Sequence, residues 1–291
     1  MKIKKITFIF AIVLLFAFPG FINEIKLDSN KKEGTILGSQ SIKFDKTSAV
    51  PANKSNKKFP NAKIMGGVIP HDARMKKYIF HFFQGIENQD FKRIILLTPN
   101  HKEKGFGKIF TSDYFWPTEY GLLKSDKEFI NELNKIGIKN NYEVVSGEHA
   151  VSDLVPFIKM SFPEKKIIPL IFKYSTTEKE LRKLKTKILS LWNEETIVIA
   201  AVDFSHYLSV SEANKHDEIT KKALLNYDYQ TILSFGKNFN QYLDSPPAMA
   251  LFLMLMKEKS NKVSILKQTN SGYLSNSLKE PSTSYFEIVY Y

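Results

Sequence analysis

The 291-residue chain has no cysteine. That excludes disulfides, thiolate-held zinc or iron–sulfur centres, and a thiol nucleophile. Lipid attachment through an amino-terminal cysteine is excluded as well. Any metal must therefore be held by histidine and carboxylate. Tryptophan is nearly absent, with two residues: Trp192 reads as packing, and Trp116, just before Pro117, reads as a wall of a ligand pocket. No Gly-x-Ser-x-Gly elbow occurs, which argues against a serine hydrolase of that type. The Gly66-Gly67 pair lacks the third glycine and the acidic residue of a dinucleotide fingerprint.

Of the residues present, 43% are hydrophobic and 13% aromatic, enough to bury a large core. The net charge of +12 is uneven. Residues 1–60 hold eleven lysines against four acids, whereas the remainder holds 31 basic and 26 acidic residues. The basic excess thus belongs mostly to the amino-terminal stretch. The body shows no arginine-rich stripe, zinc-finger spacing or RNA-binding aromatic signature, so no nucleic-acid partner is expected.

Lys2, Lys4 and Lys5 precede an apolar run over 6–18, followed by Pro19-Gly20 and Phe21-Ile22. This predicts a secretory signal or an uncleaved membrane anchor over 1–22. The lack of a small-x-small cleavage site after Phe18 favours the anchor. Lysines ahead of the run place the rest of the chain outside the cytoplasm in either case. Residues 23–60, rich in Lys, Ser, Asn, Gly and Thr, read as a polar basic linker, and the folded domain is expected over 61–291.

Within the body, short β-rich runs alternate with helical patterns. Strands are predicted over 62–69, 93–98, 142–145, 166–172, 196–202, 262–269 and 284–290. Helices are predicted over 73–87, 125–135, 150–162, 177–192, 213–226 and 247–259. Runs such as Ile94-Ile95-Leu96-Leu97 are continuously apolar, as suits strands buried on both faces. The fold class is therefore α/β, with a mixed, mostly parallel sheet and helices on both faces.

Ligand-type residues fall at the ends of three predicted strands. His71 follows the first strand and His101 the second, while Asp203 and His206 follow the strand over 196–202. Open α/β sheets bind ligands outside the carboxyl ends of their strands. Two histidines with a carboxylate suit divalent iron, copper or zinc and resemble the set of non-haem iron sites. His206, three residues after Asp203, is expected to point into the same pocket from a turn. His149 opens a predicted helix after Glu148. His81 and His216 lie inside helical patterns near lysines and read as structural, and Met249, Met254 and Met256 read as core.

At these residues the sequence resembles the Memo family, also known as protein B of the AmmeMemoRadiSam system. The likeness lies in Val68-Ile69-Pro70-His71-Asp72-Ala73, Thr98-Pro99-Asn100-His101, Trp116-Pro117-Thr118-Glu119-Tyr120-Gly121, Glu148-His149-Ala150-Val151 and Asp203-Phe204-Ser205-His206-Tyr207. The resemblance implies a three-layer sandwich like that of class III extradiol dioxygenases, with a metal-type pocket. Family members have been linked to iron or copper, to redox functions and to peptide binding. It implies His71, His101, Asp203 and His206 as metal positions and His149 as a further polar one. Animal relatives carry a pocket cysteine where this chain has Leu243-Asp244-Ser245-Pro246-Pro247, so Asp244 offers a harder oxygen in its place. The family's glycine after His-Ala is Arg74 here, a candidate clamp for an anionic substrate.

Two functions follow as expectations. One is a metal-dependent redox or dioxygenase-like enzyme, with His149 or Glu148 as acid/base and Arg74, Trp116 and Asp244 contacting substrate. The other is a non-catalytic module that binds a peptide or small molecule and is attached to the membrane by its amino-terminal segment.

Overall fold

The computed structural model describes residues 58–291. The signal or anchor expected over 1–22, and all but the last three residues of the expected 23–60 linker, lie outside the described residues. Among the described residues no helix is long and apolar enough to cross a membrane.

In chain order the elements begin with β1 (Gly66–Ile69), α1 (Lys76–Gly85), β2 (Arg93–Pro99), β3 (Ile109–Thr111), β4 (Trp116–Thr118), β5 (Gly121–Ser125) and α2 (Lys127–Asn134). They continue with β6 (Lys139–Asn140), α3 (Tyr142–Ser146), α4 (His149–Ser152), α5 (Val155–Ser161), β7 (Lys166–Phe172), α6 (Glu178–Leu191), β8 (Thr196–Ala201) and β9 (Phe204–Leu208). The chain ends with α7 (Val210–Leu225), α8 (Tyr229–Ser234), α9 (Pro246–Lys259), β10 (Val263–Asn270), α10 (Ser271–Ser275) and β11 (Ser282–Tyr290).

The sheet runs β10-β11-β1-β8-β2-β7-β3-β6. Its centre is parallel: β1 pairs with β8, β8 with β2, and β2 with β7. Antiparallel β11 and β10 extend one side, and antiparallel β3 extends the other. Ile94 lies between Ile197 and Ile167 in register. Alternate residues of β2 enter different cores, as the two-residue period of a strand requires. Ile95 and Leu97 join Leu181, Leu184 and Ile188 of α6 and the wholly apolar first three turns of α9. Ile94 and Leu96 join Phe82 and Phe83 of α1 and Phe157 and Ile158 of α5. The result is the expected three-layer sandwich, held by two apolar cores of comparable extent.

Gly66 and Gly67 have a packing role. A Cβ on Gly67 would run into the Phe82 ring, and one on Gly66 would lie 2.6 Å from the Met256 sulfur and 2.8 Å from the Val198 carbonyl. Bare backbone here lets a helix approach each face of β1.

Three sequence expectations fail. Residues 142–145 form helix α3, because the Asn141 side chain accepts from the Val144 amide at 3.0 Å and caps a helical turn. The single helix predicted over 150–162 is two, α4 and α5, and Pro156 lies in the first turn of the second, where its missing N–H costs nothing. The turn expected around His206 is strand β9, paired antiparallel with β11.

Candidate metal centre

The carboxyl ends of β1, β2 and β8 bring His71, His101 and Asp203 together, as the topology required. A fourth segment joins them. Leu243 bridges to Phe204, and the Asp244 amide donates to the Asp203 carbonyl at 3.1 Å. Ser245 then caps α9, so Asp244 is fixed just ahead of a helix amino terminus, where a negative charge is favoured.

The histidine rings are oriented from behind. His71 is buried, with Nδ1 3.3 Å from the Ala201 carbonyl, which places the proton on Nδ1 and leaves the Nε2 lone pair facing inward. His101 Nδ1 lies 2.6 Å from Glu148 Oε1, which likewise turns Nε2 inward. Both Nε2 atoms converge on one oxygen: Asp244 Oδ2 is 3.4 Å from His71 and 3.6 Å from His101. Asp203 Oδ2 lies 3.7 Å from His71 Nε2. These separations exceed ordinary hydrogen bonds. They match the edges of a tetrahedral shell, about 3.4 Å when ligands sit roughly 2.1 Å from a metal. Asp244 Oδ1 is buried without a hydrogen-bond partner.

Two overlapping groups have ligand atoms within 4.8 Å of one another: His71 with His101 and His149, and His71 with Asp203 and Asp244. His71 is common to both. His149 is half-exposed, its ring 4.2 Å from that of His101 and 5.4 Å from that of His71. His206 belongs to neither group. It stands on β9 and lines the cavity, with a buried, unpartnered Nδ1. A cavity of about 190 Å³ opens over the cluster, lined by Pro99, His101, Glu103, Tyr174, His206 and Asp244 among others.

The charges are divided unequally. Burial lowers the His71 pKa, so the ring is neutral. Burial also works against the His101 imidazolium, but the Asp244 and Glu148 carboxylates outweigh it and push its pKa up to about 10. Burial, reinforced by neighbouring Asp244, raises Asp203 well above the usual carboxylate range. Burial opposes the Asp244 charge too, yet the surrounding histidines hold its pKa below the ordinary value. With His71 neutral, the cation facing Asp244 is His101. His149 is lowered by burial and then by His101 and His71.

The structure redistributes several expected roles. Asp244, read as a substrate contact and as a harder oxygen in place of a pocket cysteine, sits at the centre of the cluster. Glu148, read as an acid/base, is buried, with its oxygens taken up by the His101 amide at 2.9 Å, His101 Nδ1 and the Ala150 amide at 3.1 Å. Its pKa is lowered, burial being outweighed by His101, so it orients His101 and is a poor proton acceptor. Arg74 is not a free clamp: its guanidinium forks onto Asp72, with Nε 2.8 Å from Oδ2, and reaches the Tyr285 hydroxyl at 3.2 Å. Trp116 is a core residue packed in the apolar layer beside α5, because β4 turns its ring inward. His149, expected as a polar pocket residue and acid/base, lies within ligand distance of His71 and His101.

A family model described as "Memo: Memo-like protein" matches residues 46–289. A MEMO1 family protein of Pyrobaculum aerophilum is 25% identical over 237 residues, covering 78% of this chain and 83% of that relative. One from Methanocaldococcus jannaschii is 28% identical over 62% of this chain and 65% of that protein. Among solved structures, an uncharacterized protein, JW3007, of Escherichia coli K12 aligns with a TM-score of 0.48 and 11% identity over 76% of this chain and 99% of its own. With the family model spanning nearly all of the described residues, the chain belongs to the Memo-like protein family.

Proposed function

We propose that this protein holds a divalent transition metal on His71, His101 and Asp244 and carries out a metal-dependent redox reaction on a small molecule in the overlying cavity. Iron, copper or zinc suits these donors, and of these iron and copper suit the redox reading, zinc being redox-inert. The observation that carries the reading is the aim of two Nε2 atoms at one Asp244 oxygen, each ring already committed through Nδ1 to an acceptor behind it. A bound metal there supplies Lewis acidity or electron transfer.

The chain's own residues do the rest. The Ala201 carbonyl and Glu148 fix the imidazoles. Asp203, with its raised pKa, holds a proton against the cluster. His149, lowered in pKa and half-exposed beside His71 and His101, is the group to exchange a proton with a ligand at the cluster. Export or anchoring outside the cytoplasm accompanies this reading and rests on the lysine-flanked apolar run at 6–18.

The test is metal analysis of the purified full chain after exposure to iron, copper or zinc and dialysis. Wild type should retain stoichiometric metal, and the His71→Ala/His101→Ala and Asp244→Ala variants should not. A wild-type protein that retains none sinks the reading. One that retains metal but shows only ligand binding, without turnover, favours a binding module.

A further inference from the structure

On the loops at and beside the cavity the chain holds aromatic side chains in water, two of them on backbone shaped to present them. Phe106 is 100% exposed. It stands between Gly105 and Gly107, whose φ angles of 86° and 136° are open to glycine and unfavourable to other residues. Tyr207 is 75% exposed and itself has a φ of 63°, a left-handed conformation rarely adopted by a tyrosine. Exposed Tyr174 stacks on Phe239, with centroids 5.7 Å apart and planes at 13°.

The loop that carries Phe106 is tied to the segment that carries Tyr174. The Lys173 ammonium donates to the Gly105 carbonyl at 2.6 Å, and the Tyr174 amide donates to Glu103 at 2.9 Å. Glu103, Tyr174, Tyr207 and Phe239 line the same cavity. Apolar surface concentrated in this way marks a contact site.

Charge identifies the partner. The segments 101–108, 172–175, 206–208 and 236–241 carry five lysines and one acid, Glu103, which is engaged by the Tyr174 amide. Lys102, Lys108 and Lys173 also reach Gly147, Ser175 and Gly105, and the cavity's other acid, Asp244, has a buried side chain. Aromatic rings interleaved with lysines match an anionic bilayer interface, with rings at headgroup depth and ammonium groups on phosphates. We propose that this rim docks on an anionic lipid surface, so that the cavity opens toward the membrane. The proposal stands on exposure and charge and does not depend on a metal.

The absence of cysteine makes the test direct, because an introduced cysteine is the only labelling site. An environment-sensitive fluorophore is attached to full-length Phe106→Cys and, separately, to full-length Asn88→Cys. Asn88 is exposed and lies before β2, at the opposite end of that strand from the rim loop. Each is mixed with phosphatidylcholine–phosphatidylglycerol vesicles or with phosphatidylcholine alone. The expected result is a blue shift at position 106, strong quenching there by a lipid-borne nitroxide on anionic vesicles only, and reversal by salt. The label at 88 stays aqueous even though the amino-terminal segment can itself hold the chain on the vesicle. Adding Lys102→Glu and Lys104→Glu should abolish the shift. The proposal is overturned if the 106 label stays aqueous on anionic vesicles, responds equally to neutral ones, or responds no more than the 88 label. A 106 label already shielded before vesicles are added also overturns it, since a second copy or the chain's own residues then cover the rim.

Discussion

Glu148→Gln separates a residue that orients a ligand from one that transfers a proton. The glutamine is nearly isosteric but has one acceptor oxygen where glutamate has two. If that oxygen takes the Oε1 position, it keeps His101 Nδ1 and the Ala150 amide, and the new NH₂ then faces the His101 amide, which donated at 2.9 Å. One buried hydrogen bond to a charged acceptor is lost and two donors oppose each other, a cost of about 2–3 kcal/mol. For a domain of this size that lowers the melting temperature by roughly 5–10 °C. Loss of the carboxylate behind a metal-binding imidazole weakens metal affinity about 10- to 100-fold. A pH signature follows. Because the His101 pKa is raised to about 10, its contribution to stability is complete below pH 6.5 and is lost as pH rises toward 10. Removing the Glu148 charge lowers the upper end of that window. Calorimetry across pH and a chelator-competition titration read all three effects. Wild-type metal affinity together with a wild-type pH–stability curve would refute the orienting role.

Two further outcomes rest on geometry away from the cavity. His81 Nδ1 lies 2.6 Å from Glu287 Oε1, and Glu287 is buried with Oε2 unpartnered. His81 is raised by its hydrogen bond to Glu287, and Glu287 is raised by burial. His81→Gln should therefore cost about 1–2 kcal/mol below pH 6.5, a figure reduced for the partial exposure of the ring. Since the raised histidine loses its contribution as pH climbs through its folded-state pKa, the gap should narrow in alkaline denaturant melts; a gap independent of pH refutes the ion pair. Gly67→Ala pushes a methyl into the Phe82 ring with the Ile288 carbonyl 3.1 Å away, for a loss of about 1–3 kcal/mol. Phe82→Leu in the same chain should recover part of it, as sites in contact are not additive. Additive losses in chemical denaturation would refute the close approach.

The parts legible in sequence were those governed by local pattern. Lys166–Phe172 and Thr196–Ala201 are continuous β-branched and apolar runs flanked by polar residues, and they emerged as central strands almost to the residue. Strand ends locate the cavity in this fold class, so His71, His101 and Asp203 could be grouped before any coordinate was known. Long-range pairing was not legible. β3 has three residues and β6 has two, and both exist because of the neighbouring strands of the sheet. Asp244 reaches the centre through one bridge between Phe204 and Leu243, a contact with no trace in spacing or periodicity. Trp116 and Arg74 misled for the opposite reason. A tryptophan before a proline and a cation beside a ligand residue look like site components in one dimension, yet the first is absorbed by packing and the second by Asp72.

The pair Asp203 and Asp244 shows why two adjacent carboxylates do not make two equivalent ligands. Both are buried, and two like charges so close cannot both persist there. Asp244 faces the Nε2 side of two imidazoles and the start of α9, so the negative charge settles on it. At Asp203, burial and the neighbouring Asp244 charge outweigh the pull of His206 and raise the pKa, while Oδ1 accepts the His71 amide at 3.2 Å. The site thus offers a divalent ion two neutral imidazoles and one carboxylate once the His101 proton is displaced, and this leaves one net positive charge beside Asp203. On the proposed reading that charge would favour ionisation of Asp203, so metal binding at the first carboxylate would loosen the proton on the second. The direction of coupling follows from the fold, because β8 and the start of α9 set which carboxylate meets the histidines first.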